Sequence, residues 1–468
     1  MFDTIIRNGH LVLEEGTVRA DLAIKKGKIA ALLGPDEPAE CQKEIDAQGR
    51  LVLPGLIDAH MHTQAPFQGI SPQLTFYQQS ICAAFAGVTT YMDFTNTWKG
   101  SSVLQALDDR IEEMTESAID FSVHGKFVEA NEQLLDEIPL LAAKGCPTFK
   151  LFMTYRKEGV MADDMTLMQV FKRAKENNCM PLIHAESNAI AETAVDECIK
   201  NNTLTWRDFA NSKPVICETE AFGRVAKLAE SVGVPLLIVH TTNGSCLNIA
   251  QQAQERGQKL YIETGPHYLT LFDELYDDIE NGHLAICSPP LRTRKERDEL
   301  WDGIKNGTIT LIGSDDCTFT REEKEKALQR DANGKIIPDF TKVVNGLSGL
   351  EIRFNLMVTE GVESGKITMN QAVALCSTNI AKTMGCYPQK GTLLPGADAD
   401  IVIFDPNEEW VISANNLHSG AGYSLHEGYK AKGKVKTTLL RGEIIMDNNT
   451  FMGSKGQGKF IKRTLKLN

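Results

Sequence analysis

Between residues 55 and 315 short apolar runs alternate with amphipathic stretches, and this alternation limits the architectures open to the chain. The first run, Leu51 to Ile57, ends in Asp58, His60 and His62. Further strands are read at 87–94, 121–127, 148–153, 180–184, 235–240, 259–264 and 308–315. Helical patterns separate them at 102–117, 131–143, 166–178, 218–232 and 245–256. Strands that recur with helices between them pack as a parallel sheet covered by helices. Eight such units over some 260 residues predict an α/β fold, a (β/α)8 TIM barrel with its active site at the C-terminal strand ends.

The two ends of the chain have a different texture. Residues 1–54 read as short strands, with Asn8-Gly9 and Lys26-Gly27 as hairpin turns. After helical patterns at 350–359 and 368–384, strands return at 400–404, 411–412, 436–441 and 444–446. The expectation is one small β-sandwich built from residues 1–54 and 386–468, with the barrel, 55–385, inserted between its halves. The Gly- and Lys-rich tail at 453–463 lacks the strand-then-helix context of a phosphate loop and reads as a flexible arm.

Composition excludes several partners. A net charge of −13 disfavours nucleic acid and anionic membrane surfaces. No apolar stretch reaches 18 residues, and the N-terminus lacks a basic segment followed by a long apolar one, so neither a membrane span nor a secretory signal is expected. Eleven cysteines without a CxxC pair predict reduced thiols in a cytoplasmic protein.

The chemistry concentrates at strand ends. His60 and His62 are two apart on a strand and project to one side. Lys150 lies inside the apolar run Phe149-Lys-Leu-Phe-Met153; His184, His240 and Asp315 end later strands. In a barrel all six meet at one mouth. Four imidazoles and a carboxylate without thiolate suit divalent metal ions, zinc first, with manganese, cobalt or iron also compatible. Lys150 has two readings: a lysine that snorkels or pairs with Asp315, or a desolvated amine that reacts with carbon dioxide and gives a carbamate able to bridge two ions. One ion would then take His60, His62, Asp315 and a Lys150 oxygen, and the other His184, His240 and the second oxygen. Water activated between them would be a nucleophile at neutral pH, and Asp315 could carry its proton to a leaving nitrogen. Of the other histidines, His124 reads as satisfied within the barrel, His10, His283, His418 and His426 as surface residues, and His267 as lying near the mouth.

These residues together resemble the cyclic amidohydrolases of the amidohydrolase superfamily, in the branch of dihydropyrimidinase and D-hydantoinase. The resemblance runs through Pro54-Gly-Leu-Ile-Asp-Ala-His-Met-His-Thr63, Thr148-Phe-Lys-Leu-Phe-Met-Thr-Tyr155, His184-Ala-Glu186, Val239-His-Thr-Thr242, Glu263-Thr-Gly-Pro-His-Tyr-Leu269, Ser288-Pro-Pro-Leu-Arg292, Gly313-Ser-Asp315 and Gly391 to Asp400. It implies a barrel flanked by a β-sandwich, two zinc ions, a carboxylated Lys150 and a homotetramer or dimer. By position it implies that Tyr155 hydrogen-bonds the substrate carbonyl, and that the backbones of Ser288 and Asn345 hold the cyclic amide. The activity implied is ring opening of a hydantoin or dihydropyrimidine to an N-carbamoyl amino acid.

Two positions depart from the branch. Ala65 stands where a bulky apolar residue commonly shapes the pocket, and Asp316 where a histidine commonly follows the catalytic aspartate. The segment Thr63-Gln-Ala-Pro-Phe-Gln-Gly69 carries no arginine for a substrate carboxylate, which disfavours dihydroorotate. Allantoinase is the rival within the class. A metal-free scaffold protein of the same fold is the rival outside it.

Overall fold

A computed structural model describes residues 1–466. Eight parallel strands follow one another round a barrel: β1 (Leu56–Met61), β2 (Val88–Phe94), β3 (Asp120–Lys126), β4 (Thr148–Phe152), β5 (Met180–His184), β6 (Leu236–Ile238), β7 (Leu260–Thr264) and β8 (Leu311–Ile312). The seam between β8 and β1 closes just beyond the strand ends. There Met61 and Asp316 form a parallel bridge, and His62 N–H donates to Asp316 O at 2.8 Å. All six residues of β1 are buried, as a strand covered on both faces requires.

Helices form where polar caps precede apolar periodicity. Ser102, Asn131, Asp163 and Asn243 each accept a backbone N–H from the first turn of the helices Val103–Met114, Glu132–Ala143, Asp164–Glu176 and Gly244–Glu255. Their buried faces cover the outside of the barrel.

The chain ends build a second, mixed sheet of nine strands. Its path runs Thr450–Phe451, Glu443–Asp447, Lys430–Leu440, Ile401–Val411, Leu51–Pro54, Phe2–Leu13, Gly16–Lys25, Lys28–Leu33, with Cys41–Asp46 beside Phe2–Leu13. It encloses an apolar cluster that includes Ile6, Leu22, Val52, Ile401 and Leu439. Gly55 is the step from this sheet into β1. A Cβ there would lie 2.9 Å from Asp400 Cβ and closer still to Thr89 Oγ1, so no larger residue fits.

Two expectations at the ends are corrected. Lys26-Gly27 is a hairpin turn with both φ values positive, as the twist of two-residue hairpins demands. Asn8-Gly9 is not a turn: Phe2–Leu13 runs straight through it, the pairing register shifts between Ile6 and Gly9, and the chain reverses at 14–15 instead. An Asn-Gly pair supplies a bulge as readily as a turn.

The tail is not a free arm. Phe121 N–H donates to Lys459 O and Ile461 N–H to Phe121 O, so residues 459–461 pair alongside the start of β3. Ile461 and Leu465 join Ile57, Met92, Leu182 and Leu237 in the barrel interior. Arg463, fully buried, donates to Val123 O at 2.6 Å and to Thr148 Oγ1 and Ser122 Oγ at 2.8 Å. Lysines and glycines read as solvent-loving in sequence here flank an apolar plug. The plug closes the N-terminal end of the barrel and leaves the opposite end as the open mouth.

Candidate functional site

The mouth is a cavity of about 960 Å³ including its opening, lined by His62, Lys150, His184, His240 and Asp315 among others. His60, fully buried, lies directly beneath. The structure therefore brings all six strand-end residues to one place. His60 Nε2 and His62 Nε2 lie 3.1 and 3.3 Å from Asp315 Oδ1. These three offer ligand atoms within 4.8 Å of one another. Lys150 Nζ is 3.3 Å from His60 Nε2. The His184 and His240 rings pack edge to face at 4.4 Å, and His240 lies 5.6 Å from His60.

Neighbouring groups fix which ring nitrogens face the cavity. His60 Nδ1–H donates to Glu263 Oε1 at 2.6 Å, which leaves Nε2 as a lone pair towards Asp315 and Lys150. His184 Nε2–H donates to Glu186 Oε2 at 2.6 Å, which leaves Nδ1. His240 Nδ1 is buried without a hydrogen-bond partner. Phe94 stacks on His62 at 4.8 Å and meets the edge of His60 at 5.2 Å, so the pair is held by an apolar floor.

The electrostatics match a cation-binding set. Burial lowers the pKa of His62 and His184 and takes His240 well below the usual histidine value, so these rings are neutral ligands at pH 7. Burial works against ionised Asp315, but His60, His62 and His240 more than offset it and hold the carboxylate well below its ordinary range. Lys150, with burial opposed by Asp315 and Glu263, is pushed down to about 8. A buried, partnerless imidazole nitrogen and an amine that deprotonates near neutrality are what a metal site carries before the ions are placed. The donor set fits divalent ions held by nitrogen and oxygen.

Strain collects here too. Tyr155, His240 and Asp315 have φ of +68°, +40° and +50°, in the left-handed region that side chains avoid. Such conformations cost about 1–3 kcal/mol each and persist where surrounding packing imposes them.

Tyr155 follows β4 and lies over the cavity, its ring 5.5 Å from His184 and 5.1 Å from Phe67. Asn345 Nδ2 donates to its hydroxyl at 3.4 Å. Ser288 Oγ donates to Glu186 Oε2 at 3.0 Å and also contacts Lys213 Nζ. Tyr155, Ser288 and Asn345 all line the cavity, as does Ala65, whose methyl leaves room beside Phe67. Asp316 is turned away from the metal donors. It accepts from Gln79 Nε2 at 2.7 Å and from Gly349 and Leu350 N–H at 2.9 and 3.0 Å, and so pins the loop that carries Asn345.

Sequence reading gave no role to Glu263, Glu186 or Lys213. Glu263 ends a strand as His184 and His240 do, and that position was the available signal. Lys213 comes from the helical insert after β5, and nothing in its surroundings marks it. His124 is satisfied, with Nδ1 at 2.7 Å from Thr148 Oγ1 and Nε2 at 3.0 Å from Ala59 O. His267 lines the cavity. His283 and His426 are buried rather than at the surface: His283 packs on Trp206, and His426 Nε2 lies 2.8 Å from Thr270 Oγ1. Partners far along the chain, Trp206 and Thr270, bury them, which turn-rich local sequence does not reveal.

Known proteins are similar to this chain over nearly its whole length. The description "Amidohydrolase family" matches residues 51–445. The D-hydantoinase of Ralstonia pickettii is 37% identical over 467 residues, 98% of this chain and 99% of that one. The D-phenylhydantoinase of Escherichia coli O9:H4 (strain HS) is 36% identical over 463 residues, 98% of each. The crystal structure of dihydropyrimidinase from Brevibacillus agri NCHU1002 superposes with a TM-score of 0.95 at 34% identity, covering 99% of both chains. The chain belongs to the amidohydrolase family, in the branch of the D-hydantoinases and dihydropyrimidinases.

Proposed function

We propose that the chain is a metal-dependent cyclic amidohydrolase. It opens the C–N bond of a hydantoin or 5,6-dihydropyrimidine ring and gives an N-carbamoyl amino acid. The observation that carries this reading is the convergence of His60, His62, Lys150, His184, His240 and Asp315 on one cavity at the barrel mouth.

His60, His62 and Asp315 would hold one divalent ion and His184 and His240 a second, with Lys150 carboxylated between them. The closeness of Lys150 to His60 and its pKa near 8 support the modification, because the neutral amine is the form that adds carbon dioxide. Zinc suits the donors first; manganese, cobalt and iron suit them too. Bound there, the ions would supply a water-derived nucleophile at neutral pH and polarise the scissile carbonyl.

The chain's own groups do the rest. Asp315 takes the proton of the attacking water and delivers it to the departing ring nitrogen. The Tyr155 hydroxyl donates to the carbonyl oxygen as charge develops there. Burial raises the pKa of that hydroxyl, so it stays a donor across the working range. The backbones of Ser288 and Asn345 hold the ring amides. Phe67 and Phe152 against Tyr155 keep bulk water from the reacting atoms.

The enzyme works as a homotetramer or dimer in the cytoplasm under this reading. Eleven cysteines without a disulfide among them agree with a reducing compartment. Among the described residues no helix is long and apolar enough to cross a membrane.

Hydantoin, dihydrouracil and allantoin assayed side by side, with metal analysis of the same sample, test the proposal. Opening of hydantoin or dihydrouracil by protein carrying about two ions per chain supports it. Turnover of allantoin alone would make the enzyme an allantoinase. No turnover with fewer than about one ion per chain would leave a scaffold protein.

A further inference from the structure

Lys126 ends β3 and lines the same cavity, but the chemistry above does not use it. It stands in register with Lys150 on β4, and its backbone N–H is fixed by Thr95 Oγ1 at 2.8 Å. The side chain is partly exposed, and the surface it exposes opens into the cavity. Its ammonium lies over the ring of Trp98, 4.7 Å from the centroid.

Among the described residues Lys126 differs from Lys390 and Lys213 in having no carboxylate partner, a lack it shares with Lys324. Lys390, deeply buried, contacts three carboxylates, those of Asp120, Asp398 and Asp400. Lys213, buried beside Ser288, lies 3.7 Å from Glu186. Lys324 donates to Ile286 O at 3.2 Å. Among the described residues no carboxylate lies within ion-pair distance of Lys126, and the charged group that acts on it, Arg110, is itself a cation. Lysines are rarely withdrawn from water without a partner, because desolvation of the ammonium is left uncompensated. Together with Arg110, burial pushes its pKa down to about 8. An aromatic face offsets part of this, but only an anion complements it in full.

We propose that Lys126 receives a carboxylate on the exocyclic arm of the substrate, so that the enzyme prefers cyclic diamides bearing an acidic side chain. The proposal rests on the reading of the site as a cyclic amidohydrolase. Tyr155, Ser288 and Asn345 belong to the loops after β4, β7 and β8, whereas Lys126 and Trp98 belong to the β2 and β3 side. A ring held by the first group would extend an arm at its sp3 carbon towards the second. Ala65, Phe67 and Phe152 would border the methylene part of the arm. The product would then be an N-carbamoyl derivative of an acidic amino acid.

The test compares hydantoin-5-acetic acid with hydantoin-5-acetamide, which match in size and differ in charge. The wild-type enzyme is expected to favour the acid by about 10-fold or more in kcat/KM. Lys126→Met should bring that ratio to about 1, Lys126→Arg should keep most of it, and Lys126→Glu should invert it. Melting temperature and metal content show that each variant is folded and loaded. If a loaded, folded Lys126→Met enzyme keeps the wild-type ratio, or the wild-type ratio is near 1 while hydantoin itself is opened, the acidic-arm assignment is wrong and the hydrolase reading stands. If hydantoin and both derivatives remain closed, the hydrolase reading fails and takes this assignment with it.

Discussion

Glu263 Oε1 lies 2.6 Å from His60 Nδ1, at the base of the cavity. The same oxygen accepts the backbone N–H of His240 at 3.2 Å, so one carboxylate orients residues from both halves of the donor set. Gly313 gives it room: a Cβ there would lie 2.7 Å from the Glu263 carboxylate. Replacement of Glu263 by Gln keeps the shape and removes the charge that fixes the His60 tautomer. Outer groups of this kind typically change metal affinity by about 10- to 100-fold. Glu263→Gln should therefore lose metal to a chelator at about 10- to 100-fold lower concentration than wild type, and excess metal should restore much of its activity. Wild-type chelator resistance in the variant would refute this role.

Under the proposed function, Tyr155 would act on the transition state rather than on ground-state binding. Its hydroxyl meets Asn345 Nδ2 at 3.4 Å, and its φ of +68° is held by the loop after β4. Loss of one oxyanion donor typically lowers kcat by about 10²- to 10³-fold. Tyr155→Phe should show that loss in kcat with KM changed by less than about 5-fold. A variant in which KM alone rises would assign the hydroxyl to substrate binding.

The legible and illegible parts divide by range. Apolar runs that end in or carry a polar residue, such as Leu56 to His62 and Thr148 to Phe152 with Lys150 inside it, announce their own burial and direction, so the barrel and its strand-end donors can be read locally. Ser288, Asn345 and Tyr155 were placed only through resemblance, because loop conformation is set by contacts far along the chain. Asp316 shows why: its partners are Gln79, Thr318, Gly349 and Leu350, and no local pattern predicts a carboxylate that organises a loop more than 30 residues on. Lys126 and Lys213 look in sequence like ordinary surface lysines. Their surroundings follow from barrel closure and from the insert after β5. The tail misled for the opposite reason, since Ile461 and Leu465 are too sparse to read as core until the barrel end that receives them is known.

Arg463 tests the plug. Its guanidinium bonds Ser122, Val123 and Thr148, at or near the starts of β3 and β4, and also Met384 O at 3.3 Å. Arg463→Met would keep the apolar length of the side chain and orphan those acceptors. Buried acceptors left without a donor cost about 1–3 kcal/mol each. The melting temperature should fall by several degrees, with metal content and kcat retained at low temperature because the mouth lies at the other end of the barrel. An unchanged melting temperature would mean that the tail rests on the barrel without supporting it.

His426 is one of the buried histidines that would weaken the fold in acid. The ring is buried between Thr270, whose Oγ1 lies 2.8 Å from Nε2, and the Tyr429 ring, and no carboxylate faces it among the groups that shift its pKa. Burial first, with His267 adding to it, pushes its pKa down to about 3. In the unfolded chain the same imidazole titrates near 6.5. Above that value both states are neutral and its contribution to stability is complete. Between about 6.5 and about 3 the unfolded state takes up a proton that the folded state refuses, so stability falls as pH falls, by about 1.4 kcal/mol per pH unit at most. His426→Gln keeps a hydrogen-bonding side chain that does not titrate. Denaturant midpoints measured from pH 7 to pH 4 should decline less steeply in this variant than in wild type, although it is less stable than wild type at pH 7. Parallel curves would show that protonation of His426 does not contribute to the loss of stability in acid.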